Sequence, residues 1–200
     1  MTVQRGPAEV PDQGTVGTPH AVTDSTPPPD LKTRHALGAH LLFWSILVLG
    51  TGADLLSKFL VFASLQQSPA GRKILIRGFL HFVRDTNTGG PFSIFSGNPG
   101  WLALATFVAL LIIGTLYINS VHTRQWLMLV ALSLVAAGAC GNLVDRLLYA
   151  HVRDFIQFWI GNWPYPTFNV ADILICVGAG LILLALIRPA HRAPASQPDL

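Results

Sequence analysis

Four long apolar segments constrain this chain more than any other feature of its sequence. They lie at about Ala36 to Phe62, Trp101 to Ile118, Trp126 to Ala139 with its flanks, and Val170 to Ile187. Each approaches the roughly 20 residues that an α-helix needs to cross a bilayer. Charged residues make up 12% of the chain, about half the share typical of soluble domains. The sequence therefore predicts a membrane protein that is mainly α-helical, with four transmembrane helices.

The two ends of the chain differ from this apolar region. Residues 1–34 are rich in Pro, Thr, Asp and Gly, which predicts a disordered N-terminal tail. We expect one four-span membrane domain over residues 35–190 and a short C-terminal tail over residues 191–200. The first apolar run begins too late for a cleaved signal peptide, so we interpret it as an uncleaved first span. Four spans place both termini on one side of the membrane, and we expect that side to be the cytoplasm.

Several classes of function are disfavoured by what the sequence lacks. The basic residues are scattered, so no cluster would follow a phosphate backbone and we expect no nucleic-acid partner. Seven histidines show no HExxH spacing, and two cysteines are too few for a zinc module. No GxSxG elbow occurs, and we interpret Cys140 and Cys176 as small core residues. We expect neither a metal ion nor an organic cofactor.

Only five acidic residues, all aspartates, occur between the two tails. They are Asp54, Asp85, Asp145, Asp154 and Asp172. A charge in or near hydrocarbon costs several kcal/mol, so each of them is a candidate functional residue. The order of spans and links places all five at the membrane end opposite the termini. We therefore expect the chemistry of this protein at that rim of the helix bundle.

Further polar residues stand at helical spacing. Asp54 and Lys58 are four residues apart, which predicts an ion pair on one helix face at the membrane edge. That pair could support the structure or contact a substrate. Asn142 and Arg146 have the same spacing and flank Asp145. They could orient a neighbouring carboxylate, or Asp145 and Arg146 could anchor the helix end among the lipid headgroups.

Asp154 and Asp172 are the best candidates for a catalytic pair. Asp154 has apolar neighbours, and Asp172 lies in the first turn of the fourth span, where a capping role is also open. Two carboxyl groups held close together share one proton. The ionised group could then take a proton from water while the protonated group polarises an amide carbonyl. Two alternatives remain at this point: a small proton-coupled membrane transporter using the rim carboxylates, and a non-catalytic scaffold protein.

Four sequence blocks resemble the lipoprotein signal peptidase family, the type II signal peptidases of bacteria, in order and spacing. The blocks are Asp54 to Lys58, Asn87 to Phe92, Gly138 to Arg146 followed by Asp154-Phe155, and Phe168 to Asp172. The resemblance extends from about Leu49 to Ala185. It implies a four-helix membrane aspartyl protease, with a small β-rich cradle between spans one and two on the extracytoplasmic side.

The resemblance also implies roles for individual residues. Asp154 and Asp172 would be the catalytic pair, and the groups lining or bracing the site would be Asp54, Lys58, Asn87, Gly89, Asn142, Asp145, Arg146 and Asn169. The implied substrates are diacylglyceryl-modified prolipoproteins, cut just before the lipidated cysteine. The implied setting is the bacterial inner membrane, with membrane lipid as a further partner, and we expect a monomer. Gly90-Pro91 and Ile173 depart from the usual family residues and would affect substrate and inhibitor fit.

Overall fold

Four long helices form the body of the protein. The computed structural model describes residues 31–68, 70–88 and 99–187. The helices are α1 (Leu31–Gln66), α2 (Pro99–His122), α3 (Trp126–Tyr149) and α4 (Val170–Ile187). Each has the length and apolar composition of a membrane span. The predicted four-span, mainly helical architecture is therefore confirmed, and the chain is a multi-pass membrane protein. Most of the predicted N-terminal tail and all of the C-terminal tail lie outside the described residues.

Three of these helices are longer than the apolar segments that predicted them. α2 extends from Pro99 to His122. α1 begins at Leu31 and ends at Gln66. α3 continues past Ala139 as far as Tyr149, so the polar residues that were expected to follow it lie inside its last turns. They do not end the helix because their side chains face other polar groups in the interior. The same turns expose Leu147 and Leu148 on the outside, which keeps the outer face apolar.

A small antiparallel sheet lies at the end of the bundle where α1 and α3 finish. Strands β1 (Arg72–Ile76) and β2 (Leu80–Asn87) belong to the link between α1 and α2, as predicted. Strands β3 (Val152–Ile160) and β4 (Trp163–Pro164) come from the link between α3 and α4 and complete the order β1-β2-β3-β4. The sequence did not predict β3 as a strand, because its buried and exposed residues do not alternate.

Helix α3 is the central helix of the bundle. In its most apolar stretch 56% of the residues are buried, against 11–17% in the other three helices. Leu129 and Leu132 of α3 pack against Phe43 of α1 and Tyr117 of α2. The outer helices direct large apolar side chains outward, where lipid is the matching solvent. Cys176, expected in the core, is exposed on α4, because α4 contributes few side chains to the bundle interior.

Glycines allow α3 and α4 to pack at close range. A Cβ atom added at Gly138 would overlap the backbone carbonyl oxygen of Ala171 and would lie 2.7 Å from Ile175 Cγ1. A Cβ atom at Gly178 would lie 2.8 Å from the carbonyl oxygen of Ala131. Small residues of this kind let two helix backbones approach in a membrane. This contact sets the position of the N-terminus of α4 relative to α3.

Replacing Gly138 by alanine is expected to destabilise the bundle. The new methyl group must displace the backbone at Ala171, and overpacking of this kind costs about 1–3 kcal/mol. Gly180→Ala is the matched control, because nothing lies within 4 Å of a Cβ atom at that position. Thermal unfolding of both variants in detergent should show a lower midpoint for Gly138→Ala only. Equal midpoints would contradict the close-packing interpretation.

Candidate active site

The N-terminus of α4 is capped by a reciprocal pair of hydrogen bonds between Asn169 and Asp172. The backbone N–H of Asp172 donates to Asn169 Oδ1 at 3.1 Å, and the backbone N–H of Asn169 donates to Asp172 Oδ2 at 3.2 Å. This is the geometry of a capping box, with Asn and Asp in place of the usual Ser and Glu. The capping role considered for Asp172 is therefore present. Its second oxygen, Oδ1, is left to face the interior of the site.

Asp154, on strand β3, lies beside the N-terminus of α4. The backbone N–H groups of Phe155 and Ile156 both donate to the carbonyl of Phe168, and the N–H of Phe168 donates back to Ile156. These bonds tie β3 to the residues just before α4, and so place Asp154 beside Asn169. Asp154 is 1% exposed, and its Oδ1 accepts a hydrogen bond of 2.6 Å from Asn169 Nδ2. One asparagine side chain thus contacts one candidate aspartate and caps the helix of the other.

A second asparagine, Asn142 of α3, extends this arrangement. Its Nδ2 donates to Asp172 Oδ1 at 3.0 Å, while its Oδ1 accepts hydrogen bonds from Asn169 Nδ2 at 3.1 Å and from Lys58 Nζ at 3.0 Å. The two amide groups are fixed in orientation by these partners, because each oxygen faces donors and each nitrogen faces acceptors. They therefore form a rigid connection between Lys58 and both candidate aspartates.

Lys58 is the cation at the centre of this buried group. Its Nζ lies 2.7 Å from Asp54 Oδ2 and 3.2 Å from Asp145 Oδ2, and all three side chains are fully buried. The i, i+4 pairing of Asp54 with Lys58 was predicted, but it lies inside the bundle rather than at an exposed membrane edge. Asp54 Oδ1 also accepts the N–H of Ala171 at 2.8 Å. Both oxygens of Asp54 are thus used to hold α4 and Lys58.

Arg153 completes the charge balance, and sequence reasoning missed it. Its backbone N–H donates to Asp145 Oδ2 at 3.0 Å, and its Nε and Nη2 donate to Asp145 Oδ1 at 3.1 and 2.7 Å. The sequence did place Arg153 directly before Asp154, but nothing in that spacing indicates a contact with Asp145. We refer to Asp54, Lys58, Asn142, Asp145, Arg153, Asp154, Asn169 and Asp172 as the buried polar network.

Arg146 and Asn87 stand beside the buried polar network. Arg146 interacts electrostatically with Asp172, Asp154 and Asp145. Its side chain therefore faces these carboxylates, which agrees with the expectation that it orients a neighbouring carboxylate. Asn87, the last residue of β2, forms a side-chain hydrogen bond with Asp154. Both residues were expected near the site from the sequence.

The environment of Asp154 changes its acidity. Burial, and secondarily the negative charge of Asp172, raise the pKa of Asp154 to about 7, although hydrogen bonds from Asn169 and Asn87 act in the opposite direction. Two carboxyl groups whose environments hold one of them neutral near neutral pH form a typical acid–base pair. The arrangement is chemically suited to activating a water molecule and protonating a leaving group.

One of the expected residues, Asp85, does not join this network. Asp85 lies at the same end of the bundle, opposite Asp154 in the pairing of β2 with β3, but its side chain is exposed and accepts a hydrogen bond from Thr167. Gly89, together with the Gly90-Pro91 loop, falls outside the described residues. Within residues 31–68, 70–88 and 99–187, no group of His, Cys, Asp and Glu side chains could hold a metal ion.

Comparisons with known proteins identify the family of this chain. Residues 46–188 match the family model described as signal peptidase (SPase) II. A lipoprotein signal peptidase from Coxiella burnetii is 37% identical over 78% of this chain and 93% of its own length. One from Azoarcus sp. is 36% identical over 86% of this chain and 98% of its own length.

A solved structure described as a bacterial membrane enzyme has the same fold. It superposes with a TM-score of 0.66 at 27% identity and covers 78% of this chain and 94% of that protein. With four membrane helices and a signal peptidase II match over most of its length, this chain belongs to the signal peptidase II family, whose members are peptidases that cleave signal peptides from lipoproteins.

Proposed function

We propose that this protein is an aspartyl endopeptidase in which Asp154 and Asp172 activate water against the bond before a diacylglyceryl-modified cysteine. The observation that carries the proposal is the position of Asn169. Its side chain donates to Asp154 at 2.6 Å and accepts from the backbone of Asp172 at 3.1 Å. The backbone N–H of Asn169 also donates to the Asp172 carboxylate at 3.2 Å. Both carboxyl groups therefore contact the same residue and can serve one water molecule and one peptide bond together.

The raised pKa of Asp154 assigns the roles of the two aspartates. Asp154, whose pKa is raised to about 7, holds the proton and donates it toward the carbonyl oxygen of the scissile bond. Asp172 accepts hydrogen bonds from Asn142 and Asn169 and takes a proton from the attacking water. Collapse of the resulting tetrahedral species releases the amine, which leaves with a proton from the pair. No covalent enzyme intermediate is needed.

The remaining network residues hold this pair in place. Asn142 and Asn169 orient the two carboxyl groups, and Lys58 balances Asp54 and Asp145 behind them. We propose that Arg146, Asn87 and Gly89 line the substrate path at the rim. A preorganised, buried support of this kind keeps reacting groups in a productive geometry.

The position of the site also suits a lipid-modified substrate. Exposed apolar side chains cover the outer helices, so acyl chains can remain beside the bundle while the peptide bond reaches the rim. We propose that the enzyme acts as a monomer in the inner membrane, with both termini in the cytoplasm and the site on the outer side. A proton-coupled transporter is less well supported, because such proteins place their carboxylates near the membrane midplane, between repeated halves of the chain.

Replacing either aspartate by asparagine is expected to abolish most of the activity. Asp154→Asn and Asp172→Asn keep the shape of the side chain but remove the acid or the base, and general acid–base catalysis contributes about 10²–10⁴-fold. Asp85→Asn is the matched control, because Asp85 lies at the same rim outside the network. Cleavage of a diacylglyceryl prolipoprotein by the purified proteins should be lost in the first two variants and kept in the third.

Thermal unfolding in detergent distinguishes a variant that has lost catalysis from one that has lost its fold. Asp154→Asn should unfold near the wild-type temperature, since its oxygen can still accept from Asn169. Asp172→Asn should stay folded with a lower midpoint, because one of its two hydrogen-bond acceptors is lost. Folded variants that release signal peptide at the wild-type rate would disprove the catalytic assignment.

The activity is expected to fall as the pH rises above about 7. Asp154 must be protonated to donate to the carbonyl oxygen, and its raised pKa means that the proton is held below that pH and lost above it. The pH dependence of kcat/KM reports this ionisation in the free enzyme. Rates measured from about pH 5 to 9 at constant ionic strength should decrease on the alkaline side. A rate that increases through this range would reverse the proposed roles of the two aspartates.

A further inference from the structure

A cavity lies at the same membrane end as the candidate active site. It has a volume of about 380 Å³ and is enclosed by the last turns of α1, by β2 and by the segment from Tyr149 to Arg153. Its apolar wall is formed by Phe59, Phe62 and Ala63. Neither Asp154 nor Asp172 lines it, so it is separate from the catalytic pair.

The polar wall of this cavity is basic. Arg84, His151 and Arg153 line it, and no carboxylate does. The guanidinium carbons of Arg84 and Arg153 lie 5.5 and 6.0 Å from the centre of the same ring, that of Phe62. Asp145 balances the charge of Arg153, but Arg84 has no ion-pair partner among the residues that the structure describes, so this wall keeps a net positive charge. This arrangement therefore indicates a binding site for an anion.

The two arginines have donors available for such an anion. Arg153 uses Nε and Nη2 to hold Asp145, which fixes the plane of its guanidinium group and directs Nη1 away from that carboxylate. Arg84 forms no ion pair with any residue that the structure describes. Paired N–H groups on a planar guanidinium match the oxygens of a phosphate. Phosphate is therefore the anionic group that this site suits best.

The surroundings of the cavity identify the source of the phosphate. Phe59 is 63% exposed and Leu60 is 56% exposed on the outer surface of α1, where a membrane helix meets acyl chains. The basic wall lies beside the last turns of that helix, next to this apolar outer surface. Basic pockets beside transmembrane helices commonly bind anionic headgroups. A diacylglyceryl-modified peptide has no phosphate on its glyceryl group, so the proposed substrate does not supply this ligand.

We propose that this cavity binds an anionic phospholipid of the bilayer, with its phosphate between Arg84 and Arg153 and its acyl chains along Phe59. The bound lipid would also contact the backbone next to Asp154, because Arg153 precedes that residue in β3. The site thus gives the enzyme a lipid ligand that is distinct from its proposed lipoprotein substrate.

Binding of short-chain phosphatidylglycerol to the purified full-length protein in a non-ionic detergent tests the proposal. A ligand that binds the folded state raises the unfolding temperature by an amount that grows with the ratio of its free concentration to its Kd, and no turnover is needed. Wild type and Arg84→Gln should unfold at the same temperature without lipid, because Arg84 is exposed. The apparent Kd for the lipid should be at least about tenfold higher in Arg84→Gln, as expected for the loss of a charged hydrogen bond.

Three controls test whether the effect is specific to this cavity and to an anionic lipid. Arg77→Gln removes an exposed arginine from the same sheet but outside the cavity, and it should bind the lipid as wild type does. Uncharged diacylglycerol and inorganic phosphate should both bind weakly, since each supplies only half of the ligand. Equal lipid binding by wild type and Arg84→Gln, or equal weakening by Arg84→Gln and Arg77→Gln, would overturn the proposal. Inorganic phosphate that binds as well as the lipid would also overturn it.

Discussion

The contact of Lys58 with two buried carboxylates is the interaction on which the rest of the site depends. A single ammonium group reaches Asp54, Asp145 and Asn142, and each of these leads to a different part of the chain. Asp54 holds the start of α4 through the N–H of Ala171, and Asp145 holds the start of β3 through Arg153. A buried charge without a partner is strongly destabilising. The network therefore fixes the relative positions of α1, α3, α4 and β3.

The candidate catalytic residues are positioned by groups that also have structural functions. Asp172 caps α4 with one oxygen and presents the other to Asn142. Asn169 caps the same helix and contacts Asp154. Capping and the proposed catalysis would use different atoms of the same side chains, so the position of these groups is set by the start of helix α4. This sharing also explains why a capping interpretation of Asp172, considered by itself, was reasonable.

Close helix packing makes this arrangement possible. Gly141 faces the Asp54 carboxylate so closely that a Cβ atom would overlap it, and Gly138 does the same toward the backbone of Ala171. The two glycines thus leave room for a charged side chain and for a helix terminus within the bundle. In a membrane such contacts are made by small residues, since apolar burial supplies little force between helices. The sequence block from Gly138 to Arg146 combines this packing role with polar network residues.

The sequence alone determined the four membrane helices, because long apolar runs are read directly from composition and length. It also identified the aspartates and asparagines of the site, since polar residues are rare in such a chain and the family blocks mark them. Only the tertiary structure revealed β3 as a strand, the burial of Lys58 between two acids, and the role of Arg153. These features arise from contacts between residues far apart in the sequence, which local periodicity does not encode. The raised pKa of Asp154 has the same origin, because burial and the charge of Asp172 act only once the chain has folded.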